Sequence, residues 1–148
     1  MHASRPMPLA VPVLLAGALA CSSPAGPTLS DLQQAQAQWA SHHLTRYAYR
    51  YEINGFFNAL DGRTLRLVVI TDTVRSAQFV STNDSVPVTA STLPTIDALF
   101  ATAASLLQEG RLTAVEFDPS FGYPTRLTVA GPPDASGVIT ASGIELLP

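Results

Sequence analysis

Three sets of side chains in this 148-residue chain have the types that chemistry uses. The first is His42-His43, an adjacent imidazole pair. Imidazole can serve as a general base, activate a serine or bind a metal. Neighbours on a helix point about 100° apart, so these two rings do not converge on one ion. A cap or charge at a helix C-terminus is the reading that spacing supports. The second set is Glu116 and Asp118, two residues apart and therefore on one strand face. Paired carboxylates can hydrolyse, but the same spacing describes any exposed strand face. The third is Cys21, the only thiol. The chain has no Gly-x-Ser-x-Gly elbow, no phosphate-cradling glycine loop and no dinucleotide fingerprint. No catalytic residue, no metal ligand and no cofactor is assigned from these patterns.

Cys21 has a different setting. Arg5 lies in a short leader, and Leu9 to Ala20 is an uncharged run rich in Leu, Ala and Val. About 12 apolar residues cannot span a hydrocarbon core, which needs roughly 20. Pro12 and Gly17 weaken a permanent helix there. Ala18-Leu19-Ala20-Cys21 closes the run, and Ser22-Ser23 follows. The segment resembles a bacterial lipoprotein signal peptide. That resemblance implies loss of residues 1–20 and a lipid on the Cys21 thiol and new amino group. It implies a cell-envelope location and a membrane as partner through that lipid. Ser22, rather than Asp, fits the periplasmic face of an outer membrane in a host with two membranes. With Cys21 lipidated no thiol remains, so disulfides and thiolate sites are excluded.

Of the 148 residues, removing 20 leaves 128, one ordinary domain with room for a core. Every basic residue is Arg, and there is no Lys. Without Arg5, seven Arg face eleven Asp and Glu, a formal charge of −4. No basic cluster appears in the sequence, so no nucleic-acid partner is expected. Charged residues are 13% and hydrophobic residues 47%, a folded domain rather than a disordered tail.

The elements that must position these groups follow from periodicity. Residues 21–28 read as the lipidated cysteine and a Pro/Gly tether, and 29–148 as a single α+β domain. A helix is predicted from Ser30, as N-cap, to His43, with Leu32, Ala35 and Trp39 on one face. Tyr47 to Ile53 alternates strictly, with Tyr47, Tyr49, Tyr51 and Ile53 on one side. Residues 54–62 read as a long turn. Strands follow over 64–70 and 74–80, then a polar connector over 81–94. A second helix starts at the cap Thr95, with Ile96, Leu99, Phe100, Ala103, Leu106 and Leu107 at helical spacing, and stops at Gly110. Strands over 112–117 and 125–129 flank a long hairpin tip, Asp118 to Pro124, and 138–146 is the last strand.

The predicted order is α-β-β-β-α-β-β-β. The expected fold is an antiparallel sheet of five or six strands with both helices on one face. Its core should hold Trp39, Leu67, Leu99, Phe100, Leu107, Phe117 and Leu127. The layout repeats without a residue-level repeat, which leaves duplication open.

Trp39, Tyr47-x-Tyr49-x-Tyr51, Thr95-Ile-Asp97-x-Leu-Phe100 and Phe117-Asp-x-x-x-Gly122-Tyr-Pro124 together resemble a bacterial family carrying a domain of unknown function, the family numbered 6174. The resemblance covers roughly residues 35–130. It implies a fold and an envelope location and no established activity. Where the family often carries Cys-aromatic-Cys, this chain has Gly55-Phe56-Phe57, so any thiol role there does not apply. Asp97 near a helix N-terminus and Asp118 before Pro119 fit structural roles.

Two aromatic loops remain, Phe56-Phe57 and Phe121 with Tyr123. They are the candidate contacts for a partner, an unidentified envelope protein or ligand. The expected function is an uncharacterised envelope lipoprotein acting as a noncatalytic binding domain. The alternative is a small membrane-anchored hydrolase or enzyme inhibitor.

Overall fold

Alternation makes β1, Arg46–Asn54, a strand with two unlike faces. Tyr47, Tyr49, Tyr51 and Ile53 are buried, while Arg46 and Arg50 are exposed on the other side. In the computed structural model, which describes residues 26–56, 58–88, 93–131 and 136–148, β1 lies at the centre of one sheet. Preceding it is α1, Leu29–Ser41. After it come β2 (Leu65–Ile70), β3 (Thr73–Phe79), β4 (Ser85–Val86), α2 (Ile96–Gln108), β5 (Leu112–Phe117), β6 (Pro124–Val129) and β7 (Gly137–Leu146). The spatial order is β4-β3-β2-β1-β7-β6-β5, and every neighbouring pair is antiparallel. The leader and Cys21 lie outside the described residues.

This corrects the expected sheet. It has seven strands, not five or six, and the molecule is mostly β, so α+β holds only roughly. The added strand is β4, which pairs Val86 with Ala77 and Ser85 with Gln78. Two residues cannot display alternation, so a polar connector hid it.

Both helices cover the tyrosine face. The Tyr47 ring meets Trp39 of α1 edge-on at 5.2 Å, and its hydroxyl accepts from the Ile96 N–H of α2 at 3.2 Å. The opposite face stays open. There Arg50 stands directly across from Arg66, and Glu145 pairs with the Arg66 guanidinium at 2.6 Å. Like charges in direct cross-strand register repel, and the added carboxylate relieves that.

The helix starts follow local chemistry. α1 is capped by Thr28, not Ser30. The Thr28 hydroxyl accepts from the Asp31 N–H, and the Asp31 carboxylate accepts from the Thr28 N–H at 3.0 Å. The Thr28 hydroxyl also donates to that carboxylate at 2.6 Å, and this bond, then the one from the Thr28 N–H, holds the Asp31 carboxyl below the usual carboxylate range. His42 is the C-cap of α1. Thr95 caps α2 as its sequence indicates, accepting from the Ala98 N–H.

The core holds Trp39, Leu67, Leu99, Phe100 and Leu127, with Leu107 and Phe117 only partly buried against it. The repeated α-β-β-β layout is not a repeated structure. Matching β1, β2, β3 to β5, β6, β7 keeps their order across the sheet but reverses every strand, with both helices still on one face. Only a mirror operation does that, so no rotation relates the halves.

Candidate functional site

Trp39, Tyr47, Tyr49, Asp97, Phe100, Phe117 and Tyr123 meet in one place, and they meet as packing. Trp39 donates from Nε1 to the Asp97 carboxylate at 3.5 Å. Its indole packs edge-on against both Tyr47, at 5.2 Å, and Tyr123, at 6.1 Å. The Tyr49 hydroxyl donates to the Pro94 carbonyl. Phe100 stacks on Phe117 with centroids 6.4 Å apart. One aromatic hub thus ties α1, β1, the start of α2 and the β5–β6 hairpin together. Tyr47 also satisfies one of the orphan amide donors that a helix N-terminus leaves.

The hairpin tip is held the same way. The Asp118 carboxylate accepts from the Ser120 and Phe121 N–H groups at 2.9 and 2.7 Å. Gln38 of α1 donates to the Pro119 and Ser120 carbonyls at 3.0 and 3.1 Å, and a His42 ring nitrogen lies 3.1 Å from the Ser120 carbonyl. Gly122 has φ +82°. A Cβ there would sit 2.7 Å from the Ala35 carbonyl oxygen, so glycine lets the tip press against α1.

The aromatic candidates separate under this geometry. Tyr123 is 3% exposed, so it is corrected from partner contact to core residue. The close seating of Gly122 on α1 sends the next ring inward to Trp39. Burial raises the Tyr123 hydroxyl pKa. Phe121 is half-buried and leans on His42, with centroids 4.9 Å apart. Phe56 is 37% exposed. Its ring lies over the backbone of Gly137, where a Cβ would meet it at 2.5 Å. Phe57 and Cys21 lie outside the described residues. Glu116 is exposed and Asp118 is committed to the turn, so the two do not form a working pair.

Spacing did not disclose a concavity on the helix side of the sheet. A groove of about 720 Å³ runs between α1 and β5. Ala35, Val115 and Phe117 supply apolar wall, with Gln34 and Gln38 as amides. Its ionisable members, Asp31 and Asp118, both accept backbone N–H bonds. The signal for it was present as Gln34 and Gln38 at i, i+4 on one helix side. Among the described residues, no three of His, Cys, Asp and Glu gather as a metal would require. Among them too, no helix is long and apolar enough to cross a membrane.

The pattern that defines a family of unknown function, DUF6174, matches residues 31–140, most of the chain. No curated protein and no solved structure matches.

Proposed function

Since the chain belongs to the family of unknown function DUF6174 and the residues that carry the likeness pin its fold together, we propose that it is a noncatalytic binding domain, held at a membrane surface of the cell envelope by a lipid on Cys21. The groove between α1 and β5 is the observation that carries this reading. Among the described residues β5 ends the sheet, so its outer edge can take one more strand. Register shifts on both sides leave Ala114 to Glu116 as its regular stretch. An extended segment of a partner protein fits there, its backbone along β5 and its side chains against Val115 and Phe117. Gly26 and Pro27 line the same groove, so the tether to Cys21 leaves the domain beside the partner. Phe56, with Phe57 next to it, is proposed as a second contact patch.

Two measurements test this. Cells given radioactive fatty acid should label the wild type and not Cys21→Ser; equal labelling removes the anchor. A photo-crosslinking residue at Gln34, with Arg75 on β3 as the control position, should give a discrete adduct from Gln34 alone in membranes. Adducts shared by both positions, or none from either, remove the groove.

A further inference from the structure

The open face of the sheet carries a pair of arginines that one glutamate half balances. Arg50 of β1 stands directly across from Arg66 of β2, with Ser142 of β7 across from it on the other side. Like charges in direct register are destabilising. Glu145 bonds to Arg66 at 2.6 Å, which leaves Arg50 without an ion pair or a donated hydrogen bond among the described residues. One row further along the same face, Glu52 of β1 lies between Thr64 and Thr140 of β7. Its carboxylate accepts from the Thr64 hydroxyl at 2.5 Å and from the Asn54 amide at 2.8 Å. Those bonds, the first above all, hold the Glu52 carboxyl below its ordinary range, so it is an ionised acceptor at neutral pH. Arg50, Glu52, Thr64, Val80, Thr140 and Ser142 border one hollow of about 390 Å³. Small-molecule sites have volumes of about 300–1,000 Å³.

The groups around this hollow differ in kind. Arg50 offers a planar fork of donors that matches a carboxylate. The Thr140 and Ser142 hydroxyls donate to nothing among the described residues. Glu52 repels a second anion but accepts from hydroxyl groups. Val80 adds an exposed apolar surface. From this juxtaposition we infer that the open face binds a sugar acid, its carboxylate on the Arg50 guanidinium, its hydroxyls on Glu52, Thr140 and Ser142, and a C–H face of its ring on Val80. A plain carboxylate satisfies Arg50 alone and meets repulsion from Glu52. A neutral sugar leaves Arg50 unpaired. A molecule with both groups uses the whole set. This site lies on the opposite side of the sheet from the α1–β5 groove and does not depend on the lipid on Cys21.

The test uses the full ¹⁵N-labelled chain in lipid nanodiscs, titrated separately with glucuronate, glucose and propionate. Glucuronate should give saturable shifts of the Arg50, Thr140 and Ser142 amides, with a dissociation constant of about 1 mM, ordinary for a ligand of that size. Glucose and propionate should each bind about tenfold more weakly. Arg50→Gln should weaken glucuronate about tenfold, the effect of losing a bidentate charge-assisted bond. Its melting temperature should be unchanged or higher, since a like-charge pair is relieved. Arg50→Lys, which keeps the charge and loses the fork, should fall between. Arg75→Gln removes an arginine on β3 that does not border the hollow, and should bind as the wild type does. No saturable shift at millimolar glucuronate overturns the site. So does propionate or glucose binding as tightly as glucuronate, or an equal loss in Arg50→Gln and Arg75→Gln.

Discussion

Glycine positions decide where rings and backbone can approach in this protein. At Gly122 the missing Cβ faces the Ala35 carbonyl oxygen, and φ is +82°. Neither the conformation nor the neighbouring backbone can adjust cheaply. Gly122→Ala should therefore cost about 2–4 kcal/mol, and lower the melting temperature by roughly 10 °C. At Gly137 the neighbour is the outer end of the Phe56 ring, a partly exposed side chain that can swing away. Gly137→Ala should cost about 1 kcal/mol or less and raise the exposure of Phe56. Thermal melts of the two variants check the contrast, and equal losses would mean that Phe56 is as fixed as helix backbone. The same residues show why Tyr123 was misread in the sequence. Aromatics at a hairpin tip usually face water, and nothing in Gly-Tyr-Pro states that the tip lies against a helix 81 residues away, fixed by Gln38.

At the scale of elements, β1 is both strand and anchor. Tyr47 and Tyr49 fasten the segment entering α2, so their hydroxyls act beyond the ring packing. Tyr47→Phe should cost about 1–3 kcal/mol, because it leaves the Ile96 N–H buried without a partner. Urea unfolding measures this, and an unchanged midpoint in Tyr47→Phe would show that the Ile96 N–H finds another partner. Elements with a full period were legible in the sequence. β1 alternates in sequence from Tyr47 to Ile53, and α2 shows four helical repeats closed by Thr95 and Gly110. β4 was not legible, because a two-residue strand exists only through its pairing with β3. The cap of α1 was displaced by two positions for a similar reason. Thr28 and Ser30 are both cap residues, and only the Asp31 carboxylate reaching back to Thr28 chooses between them. The α1–β5 groove joins elements about eighty residues apart, a relation no local pattern carries.

At the scale of the molecule, all four tyrosines sit in one aromatic hub, and burial raises the pKa of each above the ordinary value of 10.0. A raised value in the folded state means stability fully present below pH 10 and lost as pH rises beyond it. Absorbance at 295 nm should thus show little tyrosinate on crossing pH 10, then a steep rise that coincides with loss of near-ultraviolet circular dichroism. A gradual titration centred near 10 with the fold intact would show the rings to be open to solvent. The seam of the sheet has another consequence. Its centre joins β1 to β7, strands from opposite ends of the domain, by pairs such as Tyr51 with Ala141 and Ile53 with Ile139. Local hairpins can form as the chain emerges, but closing this pair needs the last dozen residues. If the chain is exported as proposed above, N-terminus first through a membrane pore, most of it reaches the far side before its central seam can close. Completion of the sheet becomes an event of arrival, timed by the last strand rather than the first.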